Sequence, residues 1–110
     1  MIINLETIPE TRLTAFKGGE KELVANMFTD DKTKIMHGHL EPGASIGYHK
    51  HEQNSEIILL LSGHGSVVCD GEEEELLPGQ VHYCPMGHSH SLRNLSDEPL
   101  EFFAVVPEHH

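Results

Sequence analysis

The sequence predicts an all-β domain of sandwich or barrel type, and three observations carry that prediction. Short β-prone runs alternate with Gly, Pro, Asn and Asp turn signals roughly every 8 to 12 residues. No stretch sustains a helical period for more than about two turns. The apolar runs are short, the longest being five residues, as in Ile57 to Leu61. Many short, evenly spaced strands are the pattern of sandwiches, barrels and jelly rolls.

The individual elements follow from local chemistry. Met1 to Asn4 reads as a short edge strand, and Pro9 breaks it because proline cannot donate to a ladder. Arg12 to Lys17 pairs weakly and Gly18-Gly19 turns. Leu23 to Phe28 is apolar enough for a strand, with a helical turn over Glu20 to Asn26 as the alternative. Thr29 to Lys32 turns into a strand from Ile35 to Leu40, ended by Glu41-Pro42-Gly43. Ile57 to Leu61 reads as a strand covered on both faces. Gly65 to Cys69 and Glu72 to Leu77 form a hairpin around Asp70-Gly71, a strong two-residue turn signal. The acidic run within it, Glu72 to Glu75, reads as a solvated strand. Val81 to Cys84, Ser89 to Asn94 and Leu100 to Val106 complete the set.

Size and charge narrow the function. A chain of 110 residues is one domain, 1–110, with a modest core. A net charge of -11 and a sequence pI near 5.2 argue against nucleic acid and against an anionic membrane surface as partners. No apolar run approaches the roughly 20 residues a membrane helix needs. MIINLETIPE lacks the basic and apolar regions of a secretion signal. Cys69 and Cys84 form no CxxC pair and read as reduced thiols, which makes the cytoplasm the expected compartment.

Eight of the ten histidines fall between His37 and His90; His109 and His110, at the end, are set aside. The stretch Gly43 to Gly63, GASIGYHKHEQNSEIILLLSG, organises the chain. On a strand, His49 and His51 share a face with their roots about 7 Å apart, close enough to converge on one ion. Glu56 lies at an odd offset from His51. The polar residues Glu52 to Ser55 supply the bend that would return it to the same side. A second stretch, Gly79 to Asn94, GQVHYCPMGHSHSLRN, reads as turn, strand, Pro85-Met86-Gly87 turn, and a strand carrying His90.

Together these stretches resemble the two-part signature of the cupin superfamily, in its small single-domain, RmlC-like form. The first part is met by Gly43, His49, His51, Glu56 and Gly63, the second by Gly79, Pro85, Gly87, His90 and Asn94. The resemblance implies a jelly-roll β-barrel (the cupin double-stranded β-helix) and a homodimer. It also implies metal ligation by His49, His51, Glu56 and His90. Three imidazoles and a carboxylate suit one divalent transition metal ion, Fe, Mn, Zn, Ni or Cu. An octahedral ion would keep two positions open, whereas a tetrahedral zinc would be saturated.

Around that centre, His37 and His39 share one face of the preceding strand and are acid/base candidates if that face lines the barrel. His82 and Tyr83 are further candidates, on opposite faces, so at most one points inward. His64 and His88 lie in turns and read as exposed; Tyr48 and Lys50 read as packing or solvent residues; Met27, Met36 and Met86 read as core. Gly43, Gly63, Gly79 and Gly87 sit where turns call for positive φ.

Three functions compete. The first is a metalloenzyme acting on a small organic molecule, of dioxygenase, isomerase or lyase type. The second is a non-catalytic domain that binds or senses a sugar or other metabolite. The third is a structural metal site in an interaction module. The shared fold cannot choose among them.

Overall fold

The computed structural model describes residues 1–109; His110 lies outside the described residues. Ten strands run β1 Thr11–Thr14, β2 Glu22–Thr29, β3 Thr33–Leu40, β4 Ser45–Lys50, β5 Glu56–Ser62, β6 Gly65–Cys69, β7 Glu72–Leu76, β8 Val81–Cys84, β9 Ser89–Arg93 and β10 Leu100–Pro107. Single 3-10 turns occupy Leu5–Thr7 and Phe16–Gly18. The N-terminal residues 1–4 take no strand; Asn4 instead caps the first turn by accepting from the Glu6 amide. The Glu20–Asn26 alternative resolves in favour of a strand, because β2 is paired on both sides, by β1 and β3.

All ladders are antiparallel. Six strands form one sheet in the order β1-β2-β3-β10-β5-β8, and four form the other in the order β4-β9-β6-β7. Among the described residues no ladder joins the sheets, so the jelly roll stands as a sandwich whose β7 and β8 edges stay apart.

Period-two alternation builds the core. Along β10, Leu100, Phe102, Ala104 and Val106 face inward. They meet Leu23, Met36, Leu40, Ile58 and Leu60 of their own sheet and Ile46, Val67, Leu76 and Leu92 of the other. Each fully buried Leu, Ile or Phe is worth roughly 1.5–3 kcal/mol. Ile57 to Leu61 is covered on one face only, which corrects the two-sided reading: Ile57 and Leu61 are 40% and 46% exposed. Met86, read as core, is half exposed in its turn. The Asp70-Gly71 turn has positive φ at both positions, as a two-residue hairpin demands.

One irregularity positions the functional side chains. Between β4 and β9 the register shifts: Ile46 pairs with Leu92, but His49 pairs with His90. Three steps on β4 match two on β9, which is a one-residue β-bulge. Ile46 faces the core; strict alternation would bring Tyr48 and Lys50 to that side. The bulge reverses the parity, so Tyr48 and Lys50 face out and His49 and His51 face in. Gly47 lies in the bulge, where a Cβ would overlap the carbonyl oxygen of Lys17. Gly19 makes the reciprocal approach to the carbonyl of Ser45. Two glycines thus let the 15–21 segment lie directly on β4.

Gly47→Ala should therefore cost about 1–3 kcal/mol through overpacking. Thermal denaturation should show a melting temperature lower by roughly 5 °C or more. An unchanged melting temperature would mean that the backbone contact is not a constraint.

Candidate metal centre

Three elements bring the centre together. His49 follows the bulge in β4, His51 lies one residue past that strand, His90 pairs with His49 from β9, and Glu56 opens β5 in the opposite sheet. The bend over Glu52 to Ser55 returns Glu56 to the histidines, and a bridge from Asn54 to Glu108 pins it. His51, Glu56 and His90 are 6%, 6% and 2% exposed, and His49 is half-buried.

The four donor atoms all lie within 4.8 Å of one another. His51 Nε2 is 3.2 Å from His49 Nε2, 2.9 Å from His90 Nε2 and 3.2 Å from Glu56 Oε1; His90 Nε2 is 3.0 Å from the same oxygen. Bonds of about 2.1 Å place neighbouring donors about 3.0 Å apart around an octahedral ion and about 3.4 Å apart around a tetrahedral one. These four spacings lie nearer the octahedral edge, while the full set extends to 4.8 Å. The three rings form a propeller, with centroids 4.8, 4.9 and 4.8 Å apart.

The far nitrogens are engaged as a metal site requires. His49 Nδ1–H donates to the Gly47 carbonyl at 2.7 Å, and His51 Nδ1–H donates to Asn54 Oδ1 at 2.5 Å. His90 Nδ1 lies 2.9 Å from His82 Nε2. The inward Nε2 atoms are thus left to offer lone pairs. The donor set fits a divalent transition metal: His49, His51, Glu56 and His90 would hold it.

The charges respond to this crowding. Burial alone would push Glu56 up, but hydrogen bonds from His51 and His90 outweigh it and bring the carboxyl down to about 2. The bond to Glu56 raises His51, and burial lowers His49. Burial, with His90 beside it, brings His82 down to about 4. The two cysteines are free; burial raises both thiols, Cys84 to about 12, which leaves them poor nucleophiles.

A cavity of about 320 Å³ opens over His49, His51 and Glu56. Phe16, Met36, Ile46 and Val106 give it apolar walls. Lys17, Lys34 and Lys50 also line it, three of only seven Lys and Arg in the chain. Lys17 holds a left-handed φ of 55°, and its Nζ lies 5.5 Å from the Phe16 ring centre. The sequence reading passed over Lys17 and Lys34. The available signal was Gly18-Gly19 with Gly47, which marks a close backbone approach but not its target.

His37 and His39 are placed elsewhere, which corrects the expectation that they face the barrel interior. The buried Met36, Gly38 and Leu40 take the inner face of β3, so the histidines take the outer one. His37 lies 3.3 Å from Glu101 and His39 lies 2.9 Å from Glu41, in a surface groove. Tyr83 is 57% exposed on the outside of β8, and it too does not line the cavity. His82 points inward but contacts the rear of His90 rather than the cavity. His88 pairs with Asp70 and His64 approaches Glu75, both at the surface.

Comparison with known proteins agrees with this geometry. Residues 36–106 match the Cupin_2 family, described as a cupin domain. The oxalate-binding protein of Thermotoga maritima is 31% identical over 112 residues, covering 96% of this chain and 93% of that protein. The crystal structure of a predicted oxalate decarboxylase from Thermotoga maritima superposes with a TM-score of 0.91 at 30% identity, covering 98% of this chain and 99% of that one. A cupin-superfamily sugar phosphate isomerase from Silicibacter pomeroyi has a TM-score of 0.81 at 21% identity over 98% of this chain and 76% of that one, a likeness of fold.

The shifted groups predict a pH profile for the protein without added metal. His82 is lowered from 6.5 to about 4, so its contribution is present above pH 6.5 and lost as pH falls through about 4. Glu56 is lowered from 4.5 to about 2, so its contribution is lost as pH falls below 4.5 towards 2. His51, raised above 6.5, contributes with the opposite sign and weakens as pH rises past neutrality. Chemical denaturation in the presence of a chelator should show stability falling steadily from pH 6.5 to 2. His82→Gln should flatten the upper part of that fall.

Proposed function

Because this chain belongs to the Cupin_2 family, we propose that it binds one divalent transition metal ion and uses it to hold a small, oxygen-rich organic acid. The ligand class is a short dicarboxylate, with oxalate the first candidate. One observation carries the reading: three of the four cluster residues, His49, His51 and Glu56, line a cavity that Lys17 and Lys34 also line, in a chain with a net charge of -11. Lysines around a candidate ion would attract an anionic ligand, although Glu52 and Glu108 line the same cavity. The oxalate-binding relative supports the same class.

The ion, when bound, supplies Lewis-acid polarisation of ligand oxygens at the positions the four protein donors leave open. The residues do the rest. His49, His51, Glu56 and His90 fix the ion's position, and Phe16, Met36 and Val106 exclude water. A drier cavity strengthens the attraction between Lys17, Lys34 and the ligand's carboxylates.

The binding reading takes precedence over catalysis of dioxygenase or isomerase type. His37, His39 and Tyr83 lie away from the cavity, and His82 lies behind His90. A lyase reading is the second choice, favoured by two carboxyl groups, Glu52 and Glu108, that line the cavity and can carry a proton. Oxalate incubated with the metal-loaded protein separates the two: release of formate and carbon dioxide supports the lyase, and unchanged oxalate supports binding.

Elemental analysis should find one Fe, Mn, Zn, Ni or Cu per chain, and His51→Ala should abolish it. In titration calorimetry, oxalate should bind the loaded protein and not the chelator-treated protein. The double variant Lys17→Ala, Lys34→Ala should weaken oxalate about tenfold, or ~1.4 kcal/mol, with metal binding intact. A closed tetrahedral zinc with no affinity for oxalate would refute the ligand reading.

We further propose a homodimer. The outer face of the six-stranded sheet presents Ile57, Leu59 and Leu61 from β5, Val81 and Tyr83 from β8, and Phe103 and Val105 from β10, with Glu101 at the border of this apolar patch. A second copy carries the same face, and so supplies the apolar complement each needs. Light scattering should give twice the mass of one chain, and Leu61→Glu should return it to one.

A further inference from the structure

We infer that His82 is a positioning residue for the metal centre, its Nε2 accepting the Nδ1–H of His90 and so holding His90 in the tautomer whose Nε2 is free to take an ion. This rests on the metal reading above.

The geometry is specific. His82 Nε2 and His90 Nδ1 are 2.9 Å apart, with ring centres 5.1 Å apart. Only one proton fits between two facing imidazole nitrogens. If His82 supplies it, His90 carries its own proton on Nε2 and cannot ligate. If His90 supplies it, Nε2 keeps its lone pair and points at the cluster, 2.9 Å from His51 Nε2 and 3.0 Å from Glu56 Oε1.

The other two imidazoles show why this partner matters. His49 and His51 each turn Nδ1 onto an oxygen, the Gly47 carbonyl and Asn54 Oδ1. The orientation of Asn54 is fixed in turn by its amide donating to Glu108 at 3.3 Å. An oxygen of that kind only accepts, so those tautomers are set by the backbone and an amide. His90 alone depends on a group able to play either part. It is also the most deeply buried of the four, at 2% exposure, where an unsatisfied polar group is costly.

The contact crosses the sandwich. His82 is on β8, an edge strand paired only to β5, and His90 is on β9 of the other sheet. Behind His82 lies the cleft of about 570 Å³ between the β7 and β8 edges, which it lines with Gln80, Glu72 and Glu74. Nδ1 of His82 has no protein hydrogen-bond partner among the described residues. The tautomer with the proton on Nδ1 therefore costs the protein no internal bond. His82 touches the ion's ligand rather than the ligand cavity, so its effect is on metal affinity and not on proton transfer to a bound acid.

The test uses calorimetric titration of Mn(II) into the chelator-treated full chain and two variants. His82→Gln keeps an acceptor oxygen at similar reach, and His82→Leu fills the space without one. His82→Leu should weaken Mn(II) binding by about 10- to 100-fold, and His82→Gln should stay within about threefold of the parent. A purely packing role would treat Leu as well as or better than Gln. Equal losses in both variants, or Leu binding like the parent, would overturn the inference while leaving the metal reading standing. Failure of the parent itself to bind would overturn both. A second measurement needs no variant: nitrogen-15 histidine spectra of the zinc-loaded parent should show His82 protonated on Nδ1 and bare on Nε2. A proton on His82 Nε2 would refute the assignment.

Discussion

Three imidazole lone pairs and a carboxylate gathered within 4.8 Å of one another repel unless something positive lies among them. Everything else in this structure serves that crowding. Protons can relieve it in part, which is why His51 is raised and Glu56 lowered. A divalent cation bound there would relieve it and displace those protons, which would couple its affinity to pH. The donor set is thus compatible with a cation, which would relieve the crowding.

Holding like donors together requires a scaffold that cannot yield. The sandwich supplies it with a continuous core around Phe102, fully buried and pressed against Gly38. The register shift between Ile46 and His49 supplies the aim. The hydrogen bonds from the outer nitrogens supply the orientation. Each device acts on a different degree of freedom: where the strand runs, which way the side chain leaves it, and which nitrogen faces in.

Charge is unevenly distributed over the chain. The chain carries 18 acidic residues against seven basic ones, yet three of the seven gather around one opening. Lys17 is held there in a left-handed conformation that ordinarily costs about 1 kcal/mol or more in a non-glycine residue. The backbone contact of Gly19 and Gly47 keeps its segment in place. Ala15 and Lys21 share that conformation, so the strain belongs to the whole segment packed on β4.

The sequence determined a good deal by itself. Turn chemistry and period-two runs located nearly every strand, and the glycine positions anticipated the positive φ at Gly43, Gly63, Gly79 and Gly87. The spacing of His49 and His51 marked a pair that could converge, and the resemblance to the cupin signature added Glu56 and His90 to the cluster that the structure assembles. Alternation shows which residues share a face, but not which face is inside. His37-x-His39 and His49-x-His51 look alike as strings. Tertiary structure alone separates them: Met36, Gly38 and Leu40 claim the core side of β3, while a bulge turns the β4 pair inward. The same limit hid the exposed side of Ile57 to Leu61 and the lysines at the cavity mouth. A residue's surroundings depend on chain that is distant in sequence, and only packing brings that chain near.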